Sequence, residues 1–123
     1  MAPIAEDPER EERISMEIIV DAYGPEEQAM GWYYYLEDKL CFPFTAECIA
    51  TRATSPFRKG DEIEILSMAP EGECEHEMFV ETRWKKGTLA IPLSQVKPIN
   101  TTDDETKAAV GDWHYWAACG NEL

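Results

Sequence analysis

Apolar residues at Ala29, Trp32, Leu36 and Leu40 recur at intervals of three and four, the spacing that collects side chains on one helix face. Gly24-Pro25 opens this helix, because proline at the first helical position gives up an amide that has no partner anyway. Glu26 and Glu27 fall in the first turn, where the positive end of the helix dipole favours carboxylates. Phe42-Pro43-Phe44 closes the helix and turns the chain toward extended structure. Glu27, Gly31, Tyr34 and Asp38 form a polar line on the opposite side. Glu27 and Asp38 are about 16 Å apart along the axis, at 1.5 Å per residue, and cannot share one ion. A functional partner for Asp38 has to come from another part of the chain.

Asp7-Pro8-Glu9 repeats the helix-start pattern, with an aspartate cap and proline at the first position. Residues 1–7 before it are expected to be frayed. Ile14, Ile18 and Ala22 give a helical stripe that predicts a helix as far as Tyr23-Gly24, although Ile18-Ile19-Val20 is β-branched and would also suit a short strand. After Phe44 the period changes to two. Phe44, Ala46, Cys48 and Ala50 alternate as in a strand, and Ile63 and Ile65 alternate with Glu62 and Glu64, giving a half-buried strand over 62–68. Residues 70–77 form an acidic loop. Met78–Trp84 and Thr88–Leu93 flank Lys85-Lys86-Gly87, a hairpin signal, and Val96–Ile99 suits a short last strand.

Thr102 to Glu105 reads T-x-x-E, a capping box that starts a C-terminal helix. Ala109, Val110, Trp113, Trp116 and Ala117 make its apolar face, and Gly120 is the expected terminator. The run Trp113-His114-Tyr115-Trp116 is read as packing rather than as a ligand box. The pattern therefore predicts an α+β fold in one domain over residues 1–123. N-terminal helices and a C-terminal helix pack around a small five-stranded antiparallel barrel, Src-homology-3-like.

Charge narrows the function. Twenty-five acidic against eleven basic residues give a formal net charge of -14. Such a chain is a poor nucleic-acid binder, which needs cations to meet phosphates, and suits metal cations or a basic protein partner. No apolar run approaches a membrane span, and no secretory signal is visible. Cys41, Cys48, Cys74 and Cys119 lack CxxC spacing, so reduced thiols in a cytoplasmic monomer are expected.

Glu71, Glu73, Glu75 and Glu77 alternate through EGECEHE. In an extended loop they would share one side, about 6 to 7 Å between successive members. Carboxylates that close disfavour joint ionisation unless a cation is bound. Calcium accepts the irregular oxygen geometry of such a loop better than magnesium does. The run from Asp61 is no EF-hand, since isoleucine occupies its third and fifth positions and the sixth is not glycine. Cys74-Glu75-His76 invites zinc, but the further ligands, from Cys41, Cys48, Cys119 or His114, have no recognised spacing. No nucleophile elbow, phosphate loop or HExxH helix points to an enzyme.

The strings EIIVDAYGPEEQAMGWYYYLEDKL-FPF, GDEIEIL-MAPEGECEHEMFV, LAIPLSQVKPI and DETKAAVGDWHYW resemble the cyanobacterial calcium-binding proteins of the CcbP type, from about Arg13 to Trp116. The resemblance implies a small calcium binder outside the EF-hand class, with two ions, built from helices and a barrel-like sheet. It implies Asp38 as a calcium ligand, with Glu75 and Glu77 as further carry-overs supported by the loop geometry. The combined expectation is a calcium buffer or sensor. Its first site joins Asp38 and Glu37, at the helix C-terminus, to Glu73, Glu75 and Glu77. Asp21 with the first-helix carboxylates, or Asp61-Glu62, are candidates for a second. The alternative is an acidic protein-interaction module that mimics a polyanion and has no convergent metal site.

Overall fold

The computed structural model describes residues 7–52, 55–100, 102–119, 121 and 123. The expected fraying of the first residues, apart from Asp7, and the terminator role of Gly120 lie outside these. Asp7 caps helix α1 (Pro8–Arg13), its side chain accepting the Arg10 amide as the D-P-E start predicts. The helix does not continue to Tyr23. It passes into a π-turn, Ile14–Ile18, closed by the Ile19 amide on the Ile14 carbonyl, and the chain then reverses through Asp21 at φ 59°. The cause is close packing. The Ile18 carbonyl rests against Gly31 of the next helix, where no Cβ stands in its way.

That next helix, α2 (Pro25–Lys39), starts on Gly24-Pro25 and ends at Leu40, as the pattern predicts. It buries Ala29, Trp32, Tyr33 and Leu36. Strands β1 (Phe44–Cys48), β2 (Glu62–Met68), β3 (Phe79–Trp84), β4 (Gly87–Pro92) and β5 (Val96–Pro98) follow. All pairings are antiparallel and the order is β4-β3-β2-β1-β5. The expected barrel is therefore not closed: the five strands form a bent open sheet with β4 and β5 at its edges. A bulge in β2 between Ile65 and Ser67 shifts the register against β3. Ile63 and Ile65 face the core while Glu62 and Glu64 face water, so the alternation expected for this strand holds.

Helix α3 (Asp104–Ala118) starts one residue later than the T-x-x-E reading suggested. Asp103 caps it through the Thr106 amide, which holds the Asp103 carboxyl below its usual range. Thr106 is buried and its hydroxyl takes the Cys41 amide instead. Trp113 and Trp116 of α3 meet Trp32 of α2 at 5.2 and 5.5 Å between ring centroids. A buried indole removes about 200 Å² from water, roughly 5 kcal/mol at ~25 cal/mol/Å². This helix–helix seam is the centre of a core that also includes the inner face of the sheet.

A buried carboxylate fastens α1 to the same seam. Asp112 is fully buried, takes Arg13 bidentately at 2.8 and 2.6 Å, and accepts the Tyr35 hydroxyl at 2.9 Å. Arg10 Nε lies 2.8 Å from the same carboxylate, in ion-pair contact though not aligned as a hydrogen bond. Hydrogen bonding to Asp112 raises the Arg13 pKa, and burial followed by Asp112 raises that of Tyr35.

Candidate metal centre

The acidic loop is not extended. Pro70 leads into a 3₁₀ turn, Glu71–Glu73, closed by Glu73 N–H on Pro70 C=O and Cys74 N–H on Glu71 C=O. Cys74 is drawn into the core, where its thiol exchanges contacts with the Phe79 backbone. The one-sided row of four glutamates is thus broken into two groups. Glu77 turns away to an ion pair with Arg52 at 3.0 Å and a hydrogen bond from Ser94 at 3.0 Å. Glu71 and Glu75 stay on the side of α2.

There they line a groove of about 330 Å³ with Glu26, Ala29, Met30, Tyr33, Gly72 and Cys74. The Tyr34 hydroxyl donates to Glu71 Oε2 at 3.1 Å, tying the turn to the helix. Glu71 raises the Tyr34 pKa, first through that hydrogen bond and then through its charge. Burial and then the charge of Glu37 raise that of Tyr33. Both shifts thus include the charge of a carboxylate next to this helix face, Glu37 for Tyr33 and Glu71 for Tyr34. Glu26, Glu37, Glu71, Glu73 and Glu75 have no cationic partner among the described residues.

The remaining expected ligands are spread over the molecule. Asp38 is exposed, 3.8 Å from Lys39 Nζ, one helical turn beyond Tyr34. Glu37 is exposed on the groove side of the same turn, and Glu73 is exposed in the 3₁₀ turn. Asp21 sits at the left-handed bend after the first helix. Asp61 caps its own turn, accepting the Arg58 amide at 2.9 Å. Among the described residues no three His, Cys, Asp or Glu side chains already converge as a metal cage. Glu26 was read only as a dipole partner, yet it faces the acidic turn. The signal was present in the spacing Glu26, Met30, Tyr33, Glu37, which is one helix face.

The donor chemistry fits a hard cation. The groove offers carboxylates and carries no basic side chain. Its one thiol, Cys74, is buried, with its pKa raised by desolvation, so it stays protonated and a poor soft-metal ligand, and beside it the groove offers only the Met30 thioether as sulfur. His76 does not join it: the ring lies against the Leu123 carbonyl at 3.4 Å.

Comparison with known proteins agrees with this chemistry. A calcium-binding family model, of the CcbP type, matches residues 12–117. The crystal structure of Anabaena CcbP is 41% identical, with a TM-score of 0.85 and full coverage of both chains. A calcium-binding protein solved in its calcium-binding form is also 41% identical over both whole chains, with a TM-score of 0.84. No curated protein sequence matches the chain.

Proposed function

The chain belongs to the CcbP calcium-binding family, and on that premise we propose that it is a cytoplasmic calcium sensor that acts by binding rather than by catalysis. The observation that carries the reading is the groove in which Glu26 of α2 faces Glu71 and Glu75 of the acidic turn, none of them paired with a cation. Calcium supplies there the positive charge that lets these carboxylates stay ionised together.

Two ions are accommodated on the two sides of the Tyr34–Glu71 hydrogen bond. Glu71 and Glu75 with Glu26 would hold one. Glu37 and Asp38, at the C-terminal end of α2 where carbonyl ends favour cations, would hold the other, with Glu73 nearest in the chain among the turn's remaining carboxylates. Glu26 and Glu37 are about 16 Å apart along the axis and belong to different ions. Asp21, Asp61 and Glu77 are left out, the last two because they already serve a turn cap and an ion pair.

The sensor reading rests on the separation of the donors. Glu26 rides on a helix and Glu71 and Glu75 on a short turn, so full coordination requires the turn to close on the helix. A preformed cage would suit a buffer better. Isothermal titration with calcium and magnesium tests the assignment, using wild type, Glu75→Gln and, on the far strands, Glu64→Gln. Calcium should bind more tightly than magnesium, and Glu75→Gln should lose about tenfold, or 1.4 kcal/mol, while Glu64→Gln stays near wild type. Weak heats equal for both ions and in all three proteins would favour the acidic interaction module instead.

A further inference from the structure

Five of the eleven cationic side chains gather at the end of the sheet remote from the acidic turn. Antiparallel pairing brings the β1–β2 connection and the β3–β4 hairpin together there, with Arg58 and Lys59 on the first and Arg83, Lys85 and Lys86 on the second. All five are exposed. Phe57 and Trp84 join the two loops edge to face at 5.4 Å, Trp84 remains 37% exposed, and the Lys85 ammonium lies 5.8 Å from the Trp84 ring centre. Arg83 is paired with Glu64 at 3.4 Å. Arg58, Lys59, Lys85 and Lys86 have no ion-pair partner among the described residues. The neighbouring acids are Asp61, which accepts the Arg58 amide, and Glu62, which stands opposite Glu47 on β1.

In a chain with twenty-five acidic residues, four neighbouring cations left unpaired around an exposed indole are out of keeping with the rest of the surface. Lys85 also stands at φ 55°, a left-handed turn position that glycine or asparagine fills more readily, so a long cation is held there against local preference. An exposed Trp with Arg in the neighbouring loop has the composition of a binding anchor, and the lysines around it supply the charge that steers an acidic partner.

We propose that this end of the sheet docks a short acidic segment of a partner protein. Its carboxylates meet Arg58, Lys59, Lys85 and Lys86, and one apolar or aromatic side chain stacks on Trp84. A short segment stays within about one Debye length of the patch, ~8 Å at physiological salt, and so feels the local cations more than the whole molecule. An anionic bilayer, a nucleic acid or a second copy of this chain would each meet the full net charge of -14.

The test titrates isotope-labelled full-length protein, in calcium and physiological salt, with a synthetic Asp/Glu-rich peptide carrying one central phenylalanine. A second peptide has every acid replaced by its amide. The acidic peptide should shift the Trp84 indole N–H and the amides of 57–59 and 83–86. Its affinity should fall about tenfold or more in a Lys59→Glu, Lys86→Glu variant, and the neutral peptide should leave the spectrum unchanged. Equal binding of both peptides, shifts elsewhere only, or no loss on charge reversal would overturn the proposal. So would an unshifted peptide titration alongside co-sedimentation with phosphatidylserine vesicles, which would make the patch a membrane contact.

Discussion

The Tyr34 hydroxyl and the Glu71 carboxylate, 3.1 Å apart, join the long helix to the acidic turn. Sequence spacing alone does not reveal this link, since the residues are 37 positions apart. It makes Tyr34 an internal reporter of whatever happens to Glu71.

The Tyr34 phenol is held above its ordinary value of 10 because Glu71 accepts its hydrogen bond and adds a negative charge. A calcium ion on Glu71 counters that charge and draws the carboxylate away. The Tyr34 pKa should then fall back toward 10, as followed by NMR of its ring carbons. An unmoved Tyr34 in saturating calcium would take Glu71 out of the site.

Gly31→Ala should destabilise the protein despite alanine's better helix propensity. The substitution gains about 1 kcal/mol in an exposed helix. Here the methyl would overlap the Ile18 carbonyl oxygen, a backbone atom that cannot rotate aside. Overpacking of this kind costs about 1–3 kcal/mol, so a net loss is expected in urea unfolding. A gain in stability would show that the first helix and α2 are not held this close.

Asp112→Asn should cost about 3 kcal/mol, the low end of the ~3–5 expected when one partner of a buried pair is removed. The discount reflects Arg10 and Arg13, which keep 28% and 31% of their side-chain exposure. Calcium affinity in the folded protein should change less than twofold, since none of these groups lines the groove. A large loss of affinity would mean that the α1 clasp and the metal centre are coupled.

His114 Nε2 donates to the Leu93 carbonyl from a half-buried position, and desolvation lowers its pKa below the ordinary 6.5, against that hydrogen bond and with Lys97 and Arg10 nearby. The unfolded chain therefore binds this proton more readily than the folded one. The contribution of neutral His114 is fully present above about pH 6.5 and is lost as pH falls toward the lowered folded value. Stability measured against His114→Gln should show wild type losing its advantage over that window. A pH-independent difference would mean that His114 does not titrate there.

The helix from Pro25, the strand over 62–68 and the Lys85–Gly87 hairpin were legible because local signals agree with what the core requires. Three features were not. The first helix stops early because Ile18 meets Gly31, a contact between elements that no local pattern announces. The α3 cap slips from Thr102 to Asp103 because buried Thr106 is needed by the Cys41 amide. The acidic run folds into a 3₁₀ turn because Cys74 is pulled inward. That separates Glu77 from Glu71 and Glu75 and sets Glu26 opposite them. The identity of the acidic cluster was readable; its partner on α2 depended on the tertiary fold.

A crystal structure of the calcium-loaded protein, with the anomalous signal of calcium recorded, tests the central assignment most directly. The groove assignment predicts an ion bound by Glu71 and Glu75 together with Glu26, a turn drawn closer to α2, and a second ion at Glu37 and Asp38. Calcium on Asp61-Glu62 or Asp21 with Glu71 and Glu75 free, or no anomalous peak between the turn and α2, would contradict it.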